Sequence, residues 1–369
     1  MRILTVTHFY PAHGGGIERV AEHLCRELAG QGHACSWAAS ASDPVPDAPW
    51  LTAVPLPCAN PTEALTGLPM PIPGPRGLAR LIRAVRRADG VIIHDALYVT
   101  SIVAMVAARM LGRRTVLVQH IAGLPFRSAA MRAVMRLATW LVTRPMLRAA
   151  DRAVFISAAV RDAFPDLRAR SAPMVVFNGV DSQVFHPGDP AAEDPGAAEA
   201  AGPVLFVGRF VPKKGLAVIR ACAEARPDLA FVLIGAGPLD PAAWGLPNVR
   251  TTGLLPPAAI AAQMRAARVL LLPSTGEGYP LVIQEALACG LPVICGEDSA
   301  AADPAAAPFL YPARVDPADP AGTAARVLPL LDAARADAAQ RRAMGAFAAG
   351  RYSWAGMAKA ISGALLPAG

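Results

Sequence analysis

Several features are scarce in this sequence of 369 residues, and each scarcity bears on what the protein does. Aromatic residues make up only 6% of the chain and no recognised nucleic-acid-binding motif is present, so no nucleic acid is expected as a partner. The longest apolar run, residues 97–111, contains Thr100, Ser101 and Arg109 and is too short for a membrane span, which favours a buried helix. No internal repeat with a period of about 20–50 residues is visible, so a repeat architecture is not expected.

Cysteine usage and the amino-terminal residues indicate the compartment. The six cysteines form no CxxC pair and sit in apolar runs, which is typical of reduced core thiols in a cytosolic protein. Residues 2–6 (RILTV) read as a first buried strand, too short for the apolar region of a signal peptide and followed by no cleavage site. We therefore expect a cytoplasmic protein.

Charge is spread unevenly along the chain. Residues 1–170 contain 20 Arg and 11 Asp or Glu, a net charge of +9. Residues 171–369 contain 15 Lys or Arg and 17 Asp or Glu, a net charge of −2, and all three lysines lie there. A basic first half beside a slightly acidic second half suggests that one domain alone meets an anionic partner.

The order of predicted elements indicates an α/β protein with two domains. Strands alternate with helices in both halves, which predicts two doubly wound sheets with the ligand site in the cleft between them. Residues 186–202 are rich in Pro, Gly, Ala and acidic residues, as in a linker, and the proline-rich residues 43–75 read as an irregular surface segment. The predicted limits are 1–183 for the first domain, 184–202 for the linker, 203–350 for the second domain, and 351–369 for a closing helix that crosses back to the first domain.

The most informative stretch is PSTGEGYPLVIQEALACGLPVI at residues 273–294. It follows an apolar strand and reads as a glycine-bearing loop, a helix from Leu281 and a further strand. In such a unit the loop amides and the helix N-terminus meet a ligand at the carboxyl edge of the sheet. Glu277 and Glu285 add carboxylates, which accept hydrogen bonds from paired hydroxyls, so the stretch suits a ligand with phosphate and vicinal hydroxyls. A surface Glu and a helix-face Glu remain the alternative.

Three other features favour an anionic ligand, each with a structural alternative. Gly14, Gly15 and Gly16 separate the first strand from a helix, where backbone can approach an anion, although a tight turn would use them too. Arg209 and Lys214 flank a second strand-to-helix turn and suit a diphosphate, unless they are surface cations. His120 ends a predicted parallel strand, where ligands bind, but a lone histidine is often structural.

Two arginine-rich helices are predicted in the first half, at residues 76–88 and 128–150. Basic amphipathic helices bind anionic headgroups, so these helices are candidates for contact with an anionic membrane surface. The alternative is a solvated basic face on two ordinary helices. Contact with a membrane would make the protein peripheral on the inner face of the plasma membrane.

Taken in order, the motifs resemble those of glycosyltransferase family 4. They are YPAHGGGIERV at residues 10–20 with Gly32-His33, NGVDSQVFHP at 178–187, VGRFVPKKGL at 207–216, IGAGP at 234–238, EGYPLVIQEALACGLPVI at 277–294, and YSW at 352–354. The resemblance spans nearly the whole chain. It implies the GT-B fold, with two Rossmann-like domains facing across a cleft, and retaining transfer of a sugar from a nucleotide diphosphate sugar to an acceptor hydroxyl.

The resemblance also implies a role for each matching residue. Gly15 and Gly16 correspond to glycines that approach the donor diphosphate and the acceptor, and His120 to the histidine beside the donor sugar. In the second half, the residues and their implied roles are as follows: Arg209 and Lys214 on the diphosphate, Glu277 on the hydroxyls of the transferred sugar, Glu285 on the ribose hydroxyls, and the amides of Leu281 and Val282 facing the diphosphate.

The implied mechanism is same-face internal return without a metal or other cofactor, and the sequence contains no DxD pair. Many members have Phe-Gly-Leu-Pro where this chain has Tyr279-Pro280-Leu281-Val282, and Pro280 removes one amide donor from the loop. Lys213 beside Lys214 leaves two candidates for the phosphate, of which register favours Lys214. The basic first half suggests a lipid-linked glycan acceptor, as in bacterial polysaccharide assembly. A catalytically silent GT-B partner subunit, or a GT-B epimerase or phosphorylase, are the alternatives.

Overall fold

The computed structural model describes residues 1–61, 70–121, 128–188 and 202–366. Its contacts divide the chain into two compact units, the first made of Met1–Asn178 with Trp354–Gly369 and the second of Gly179–Ser353. The chain thus passes between units after Asn178 and again after Ser353, and the closing segment belongs with the first unit. Most of the predicted linker, residues 184–202, lies outside the described residues.

Unit 1 is built on a sheet of seven parallel strands in the order β3-β2-β1-β6-β7-β8-β9. Two short strands, β4 and β5, form a separate antiparallel pair. The central strands are almost entirely buried because helices cover the sheet, which explains their continuous apolar sequences. The strands are β1 (Arg2–Val6), β2 (Ala34–Ser40), β3 (Leu51–Leu56), β4 (Cys58–Ala59), β5 (Ile72–Pro73), β6 (Gly90–His94), β7 (Arg114–Gln119), β8 (Arg152–Phe155) and β9 (Met174–Val175).

The prediction that residues 43–75 are irregular holds for residues 43–50 but is wrong for Leu51–Leu56, which form a strand. β3 pairs in parallel with β2 from Cys35↔Leu51 to Ser40↔Leu56 and forms the edge of the sheet. Its Pro55 argues against a strand in the sequence, but proline is tolerated at an edge, where one side of the strand makes no ladder hydrogen bonds. Residues 62–69 of this segment lie outside the described residues.

The helices of unit 1 follow the predicted pattern except in one segment. Residues 128–150 were expected to form one helix, but a π-helical turn at Thr139–Thr143 divides it. The Thr139 hydroxyl donates to the carbonyl of Met135 at 2.9 Å, and Pro145 has no N–H to continue the ladder, so both residues disturb regular α-geometry. The helices are α1 (Gly16–Gly30), α2 (Pro75–Arg87), α3 (Val99–Met110), α4 (Ala129–Ala138), α5 (Arg144–Ala149) and α6 (Ala158–Asp162).

Unit 2 has a six-stranded parallel sheet in the order β12-β11-β10-β13-β14-β15. Its strands are β10 (Val204–Val207), β11 (Phe231–Ile234), β12 (Val249–Gly253), β13 (Val269–Leu272), β14 (Val293–Gly296) and β15 (Leu310–Ala313). The helices are α7 (Leu216–Ala225), α8 (Pro257–Ala266), α9 (Leu281–Ala288), α10 (Glu297–Ala300), α11 (Pro320–Ala333) and α12 (Ala338–Arg351). In both units the sheet runs outward from its first strand in two directions, which is the doubly wound arrangement predicted from the sequence.

The chain returns to unit 1 as α13 (Trp354–Leu365), which packs against α1 and β7. Trp354 stacks on His23 with ring centroids 4.6 Å apart. At the other end of α13, Leu365 lies against Gly90, where an added Cβ would come within 2.9 Å of it. The closing helix is therefore an integral part of the first unit.

Candidate functional site

The carboxyl edge of the unit 2 sheet brings two glycine-bearing loops together. β10 and β13 are neighbours, so the loops that follow them, residues 208–215 and 273–280, leave the sheet side by side. The amide of Thr275 donates to the carbonyl of Lys213 at 3.0 Å. Gly215 has φ +75°, and an added Cβ there would collide with the carbonyl oxygen of Pro273, so glycine is required both for conformation and for space.

An ion pair joins the two loops. Lys214 Nζ lies 2.6 Å from Glu277 Oε1, and the two side chains are only 15% and 11% exposed. The structure thus brings Lys214 into direct contact with Glu277. The pair places one cationic group and one carboxylate that can accept hydrogen bonds next to each other, with little exposure to solvent.

The N-terminus of α9 follows this pair directly. Pro280 is the N-cap, and its carbonyl accepts a hydrogen bond from the amide of Ile283 at 3.0 Å. Leu281 and Val282 are the first two helical residues, whose amides precede the intrahelical ladder, so this end of the helix is suited to an anion. Glu285 lies one turn further along α9 and is half-buried.

Arg209 follows β10 and is exposed. The six residues that the resemblance assigns to the donor in unit 2 therefore occupy two adjacent strand–loop–helix segments. Lys214 and Glu277 join the two segments through their ion pair.

A second polar cluster lies at the carboxyl edge of the unit 1 sheet. β1, β6 and β7 are neighbours, and their ends carry His8, then His94 and Asp95, then His120. His94 Nδ1 lies 2.9 Å from His120 Nε2. The amide of His120 donates to Asp95 Oδ1 at 2.8 Å, and all four side chains are buried.

Glu18 joins the cluster from the first turn of α1. Its carboxylate lies 3.0 Å from His8 Nε2, and the His8 ring stacks on Tyr98 with centroids 3.7 Å apart. Gly15 is the N-cap of α1, and an added Cβ there would collide with the Glu18 carboxylate. An added Cβ at Gly16 would meet no described atom within 4 Å, so the fold itself does not demand glycine at this position.

Burial sets the protonation of this second cluster. Burial, aided by the charge of His8, lowers the pKa of His94 to about 3. Burial, with His94 and His8 beside it, also holds the pKa of His120 well below its ordinary value. Burial raises the pKa of Asp95 to about 6, against the hydrogen bonds that it accepts from backbone amides. Both histidines are therefore neutral at pH 7.

The sequence pointed to His120 but missed His8, Glu18, His94 and Asp95 as members of one cluster. Their placement follows from the strand order, since three strands far apart in sequence end at the same edge. Asp95 carries one further mark, a φ of +56°, which is uncommon for a residue other than glycine and is found more often at functional sites. That backbone angle is not readable from the sequence.

Other expectations from composition can be compared with the described residues. The six cysteines are free and five are buried, as predicted for core thiols. Across the described ranges, no three or more His, Cys, Asp or Glu side chains are grouped so as to hold a metal ion. Within those same ranges, no helix has the length and apolar character to cross a membrane.

Profiles of known protein families match both units of the chain. The sequence profile described as Glycosyltransferase Family 4 matches residues 14–184, and the profile described as Glycosyl transferases group 1 matches residues 202–333. The two matches follow one another along the chain, the first mostly within unit 1 and the second within unit 2.

Curated relatives are similar over part of their length. An alpha-maltose-1-phosphate synthase of Mycolicibacterium smegmatis is 28% identical over 231 residues, which cover 56% of this chain and 59% of that protein. A GDP-mannose-dependent alpha-mannosyltransferase of the same organism is 32% identical over 240 residues, which cover 62% of this chain and 61% of that protein. The matches thus span about three fifths of these relatives.

Solved structures share the fold over nearly the whole chain. Anabaena HepE, solved in complex with UDP, superposes with a TM-score of 0.68 at 18% identity, covering 99% of each chain. At that identity the likeness speaks for the fold alone. Together with the two doubly wound parallel sheets, it confirms the predicted GT-B fold class.

Proposed function

Because this chain belongs to glycosyltransferase family 4, we propose that it transfers a sugar from a nucleotide diphosphate sugar to an acceptor hydroxyl with retention of anomeric configuration. The observation that carries this proposal is the Lys214–Glu277 pair, held between adjacent strand ends beside the N-terminus of α9. A cation, a hydroxyl acceptor and helix amides in one place match the three chemical parts of such a donor. The nucleotide bound by HepE and the GDP-mannose dependence named for the mannosyltransferase agree with a donor of this class.

In the proposed complex the diphosphate lies between Arg209, Lys214 and the amides of Leu281 and Val282. Lys214 then faces phosphate oxygen, while Glu277 accepts hydrogen bonds from hydroxyls of the transferred sugar. Glu285 accepts hydrogen bonds from the ribose hydroxyls. The cations and the helix N-terminus stabilise the negative charge that grows on the leaving diphosphate.

The proposed chemistry is same-face internal return. The bond between the anomeric carbon and the diphosphate oxygen breaks, and the acceptor oxygen forms its bond to the same face of that carbon. The proton of the acceptor hydroxyl goes to the departing phosphate oxygen. His120 would stand beside the donor sugar, and Gly15 and Gly16 would allow the close approach of substrate to the start of α1. Metal independence is part of the proposal, with Arg209, Lys214 and the helix amides supplying the positive charge.

For the acceptor we propose a lipid-linked glycan, as in bacterial polysaccharide or glycolipid assembly, presented at an anionic membrane surface. The support is the segment from α4 through the π-helical turn, on which large apolar side chains are exposed between arginines. Val134, Leu137, Trp140 and Leu141 are all more than half exposed. Arg132 and Arg136 on the same segment are also exposed, whereas Arg144 is half-buried with its guanidinium over the Phe164 ring.

The second predicted helix contributes charge to this proposed surface. On α2, Arg76, Arg83 and Arg87 are exposed, and α2 packs against α3. α3 is buried along one face, as expected, but on its other face Val106 and Met110 are 52% and 82% exposed at one helical turn's spacing. Arginines with exposed apolar side chains suit a peripheral contact with anionic headgroups.

A donor screen tests the proposed reaction. The full chain is mixed with UDP-, GDP-, ADP- and dTDP-sugars, and release of nucleoside diphosphate is followed with and without a chelator. We expect slow hydrolysis of one donor, unaffected by the chelator and lost in Lys214→Ala and Glu277→Ala. The anomeric configuration of the released sugar at early times, read by NMR, tests retention. Loss of activity with the chelator would overturn metal independence.

Other outcomes of the same screen identify the alternatives. An epimerised nucleotide sugar, or a sugar phosphate formed with inorganic phosphate, would indicate a GT-B epimerase or phosphorylase. A nucleotide that raises the melting temperature but is never turned over, with or without glycan acceptors, would indicate a silent binding subunit. No thermal shift with any nucleotide would contradict the assigned donor site.

A further inference from the structure

His94 and His120 form a buried pair in unit 1, and the proposed reaction gives a role to His120 but none to His94. His94 and His120 end neighbouring strands, both are fully buried, and their rings share a 2.9 Å contact between His94 Nδ1 and His120 Nε2. His94 Nε2 is buried and has no hydrogen-bond partner among the described residues. A buried polar atom without a partner destabilises the folded state, so an apolar residue would serve stability better at position 94.

We propose that His94 is a positioning residue for His120, donating its Nδ1–H to His120 Nε2 and thereby fixing His120 as the Nδ1–H tautomer. This inference rests on the proposed function, in which His120 contacts the donor sugar. In this arrangement His120 offers its Nδ1–H, as a neutral donor, to an oxygen of the sugar. Its Nε2 already accepts the hydrogen bond from His94.

The direction of the hydrogen bond follows from the atom that lacks a partner. If His120 Nε2–H were the donor, His94 would accept at Nδ1 and carry its own proton on Nε2, leaving a buried N–H unpaired. With His94 Nδ1–H as the donor, the unpaired His94 Nε2 is a bare acceptor, which native structures tolerate better than an orphaned donor. A neutral imidazole has one donor and one acceptor, so the choice at His94 decides the tautomer of His120.

Asp95 completes the support by holding the main chain. Its Oδ1 accepts from the His120 amide at 2.8 Å, and its own amide donates to the Val118 carbonyl at 2.9 Å. The left-handed backbone at Asp95, with φ +56°, places a carboxylate from the end of β6 against the end of β7. His94 thus orients the ring of His120, and the next residue in the sequence, Asp95, holds the backbone of His120.

Burial, aided by the charge of His8, keeps the pair neutral. His8 lies close enough to lower the pKa values of both histidines, and Glu18 pairs with His8 at 3.0 Å. Tyr98 covers the other face of His8. No Lys or Arg side chain is among the groups that perturb the pKa of either histidine.

The test that does not depend on activity is a tautomer measurement. The full chain is labelled with ¹⁵N-histidine, and long-range ¹H–¹⁵N spectra are recorded from pH 5 to pH 8, with His120→Ala used to assign the His120 signals. We expect His120 to stay neutral as the Nδ1–H form throughout, and to lose this uniform state in His94→Leu. An Nε2–H form of His120, or the same tautomer in His94→Leu, would overturn the proposal.

Kinetics supply the second readout, with donor hydrolysis as the assay. His94→Leu should lower kcat about 10–100-fold while KM for the donor changes less than about twofold, because His94 touches no substrate. His94→Asn, whose amide N–H can replace Nδ1–H, should recover a large part of kcat. His33→Asn, a histidine that precedes β2 at the opposite edge of the sheet, is the control and should change neither constant. If His94→Asn folds with wild-type stability but is as slow as His94→Leu, the positioning role of His94 is wrong. If neither the native protein nor any variant hydrolyses a donor while the tautomer result holds, the proposed reaction is wrong but the hydrogen bond from His94 to His120 is supported.

Discussion

At the scale of single residues, the Lys214–Glu277 pair is the first place to test the donor site. Glu277→Gln keeps the shape of the side chain but removes the charge that faces Lys214 at 2.6 Å. We expect a loss of about 1–3 kcal/mol in stability and at least about a tenfold fall in kcat/KM for the donor, since a charge-assisted hydrogen bond is replaced by a neutral one. Steady-state donor hydrolysis and urea unfolding measure the two effects.

The matched control is Glu224→Gln. Glu224 pairs with Arg220 at 2.9 Å, but both side chains are about half exposed, so the change should cost less than about 1 kcal/mol and leave kcat/KM alone. An active Glu277→Gln enzyme with donor affinity like that of the native protein would contradict the role assigned to Glu277.

A substitution at Gly16 can test whether substrate approaches the start of α1 without disturbing the fold. Because an added Cβ would meet no described atom within 4 Å, Gly16→Ala should raise the free energy of unfolding by about 0.4–1 kcal/mol, as other compatible Gly→Ala changes do. If substrate approaches the start of α1, the same change should lower kcat/KM about tenfold or more. Thermal unfolding and transfer or hydrolysis assays give the two readouts.

Gly30→Ala provides the comparison, because Gly30 ends the same helix and also has no described atom within 4 Å of an added Cβ. It should match the stability change of Gly16→Ala with full activity. Equal activity in the two variants would remove Gly16 from the substrate site.

Because His94 and His120 are buried and neutral, we expect the free energy of unfolding to depend on pH. The pKa of His94 falls from 6.5 to about 3 on folding, so between these values the unfolded chain binds the proton that the folded chain refuses, and stability falls as pH falls. Each such histidine contributes up to about 1.4 kcal/mol per pH unit. Asp95, whose pKa is raised from 3.8 to about 6, binds its proton more readily when folded and opposes this trend below about pH 6.

His94→Leu removes one of the two histidine contributions, leaving His120 and Asp95 to offset one another. Urea unfolding at pH 7, 6 and 5 should therefore show a shallower fall in stability than the native protein. His186→Leu, a change at an exposed histidine in unit 2, should keep the native slope. An unchanged slope in His94→Leu would mean that His94 is already charged in the folded protein.

At the scale of elements, the two candidate clusters differ in how far the sequence predicts them. Glu277, Leu281, Val282 and Glu285 follow one another on a single loop and helix, so local periodicity and glycine placement suffice to group them. The contact with Lys214 requires β10 and β13 to be neighbours, although 61 residues lie between the end of β10 and the start of β13. In unit 1, β1, β6 and β7 bring together residues from three distant stretches, and no local pattern marks His8, Glu18 or His94.

Tertiary context also overrode two local signals. Pro55 and its neighbouring prolines argued against a strand, yet β3 is formed because the sheet edge tolerates proline. The continuous periodicity of residues 128–150 argued for one helix, yet Thr139 and Pro145 divide it. The alternation of predicted strands and helices thus predicted the doubly wound fold class. The formation of β3 depended on its place at the sheet edge, and the division of residues 128–150 depended on the hydrogen bond from the Thr139 side chain to the backbone and on Pro145.

A buried hydrogen-bond network ties the loop of residues 273–280 to the end of α12, and it can be tested as a unit. Tyr279 OH lies 2.9 Å from Tyr352 OH, which donates to Asp303 Oδ2 at 2.8 Å, and Arg351 pairs with the same carboxylate. Tyr279→Phe should cost about 1 kcal/mol, the net value of one buried hydrogen bond, since Tyr352 keeps its bond to Asp303. Asp303→Asn should cost more, because it weakens the bonds from both Tyr352 and Arg351.

Urea unfolding measures both changes, and Tyr311→Phe is the control for loss of a tyrosine hydroxyl outside the network. The network also matters for position, because Tyr352 is anchored through its carbonyl to the amide of Val180 at 3.0 Å, and Val180 and Ser353 form a parallel bridge. Both places where the chain passes between units are thus joined within unit 2. Tyr279→Phe with stability equal to that of the native protein would show that the hydroxyl contact contributes nothing.

At the scale of the whole molecule, the uneven charge and the exposed apolar residues combine in the proposed membrane contact. The net charge of +9 in residues 1–170 attracts anionic lipid over a Debye length, and Trp140, 65% exposed, supplies apolar area for the interface. The full chain should therefore co-sediment with vesicles containing anionic lipid, less with neutral vesicles, and progressively less as salt rises from 50 to about 500 mM.

The apolar part of that contact has its own test. Trp140→Ala should weaken vesicle binding about tenfold or more, since burial of a large aromatic side chain is worth about 1.5–3 kcal/mol, whereas Arg136→Gln should weaken it mainly at low salt. Leu254→Ser is the matched control, because Leu254 is 80% exposed but lies in unit 2, and it should leave binding unchanged. Absence of binding to anionic vesicles at low salt would refute the membrane contact while leaving the donor chemistry intact; equal losses in Trp140→Ala and Leu254→Ser would mean that adsorption is not confined to the basic unit.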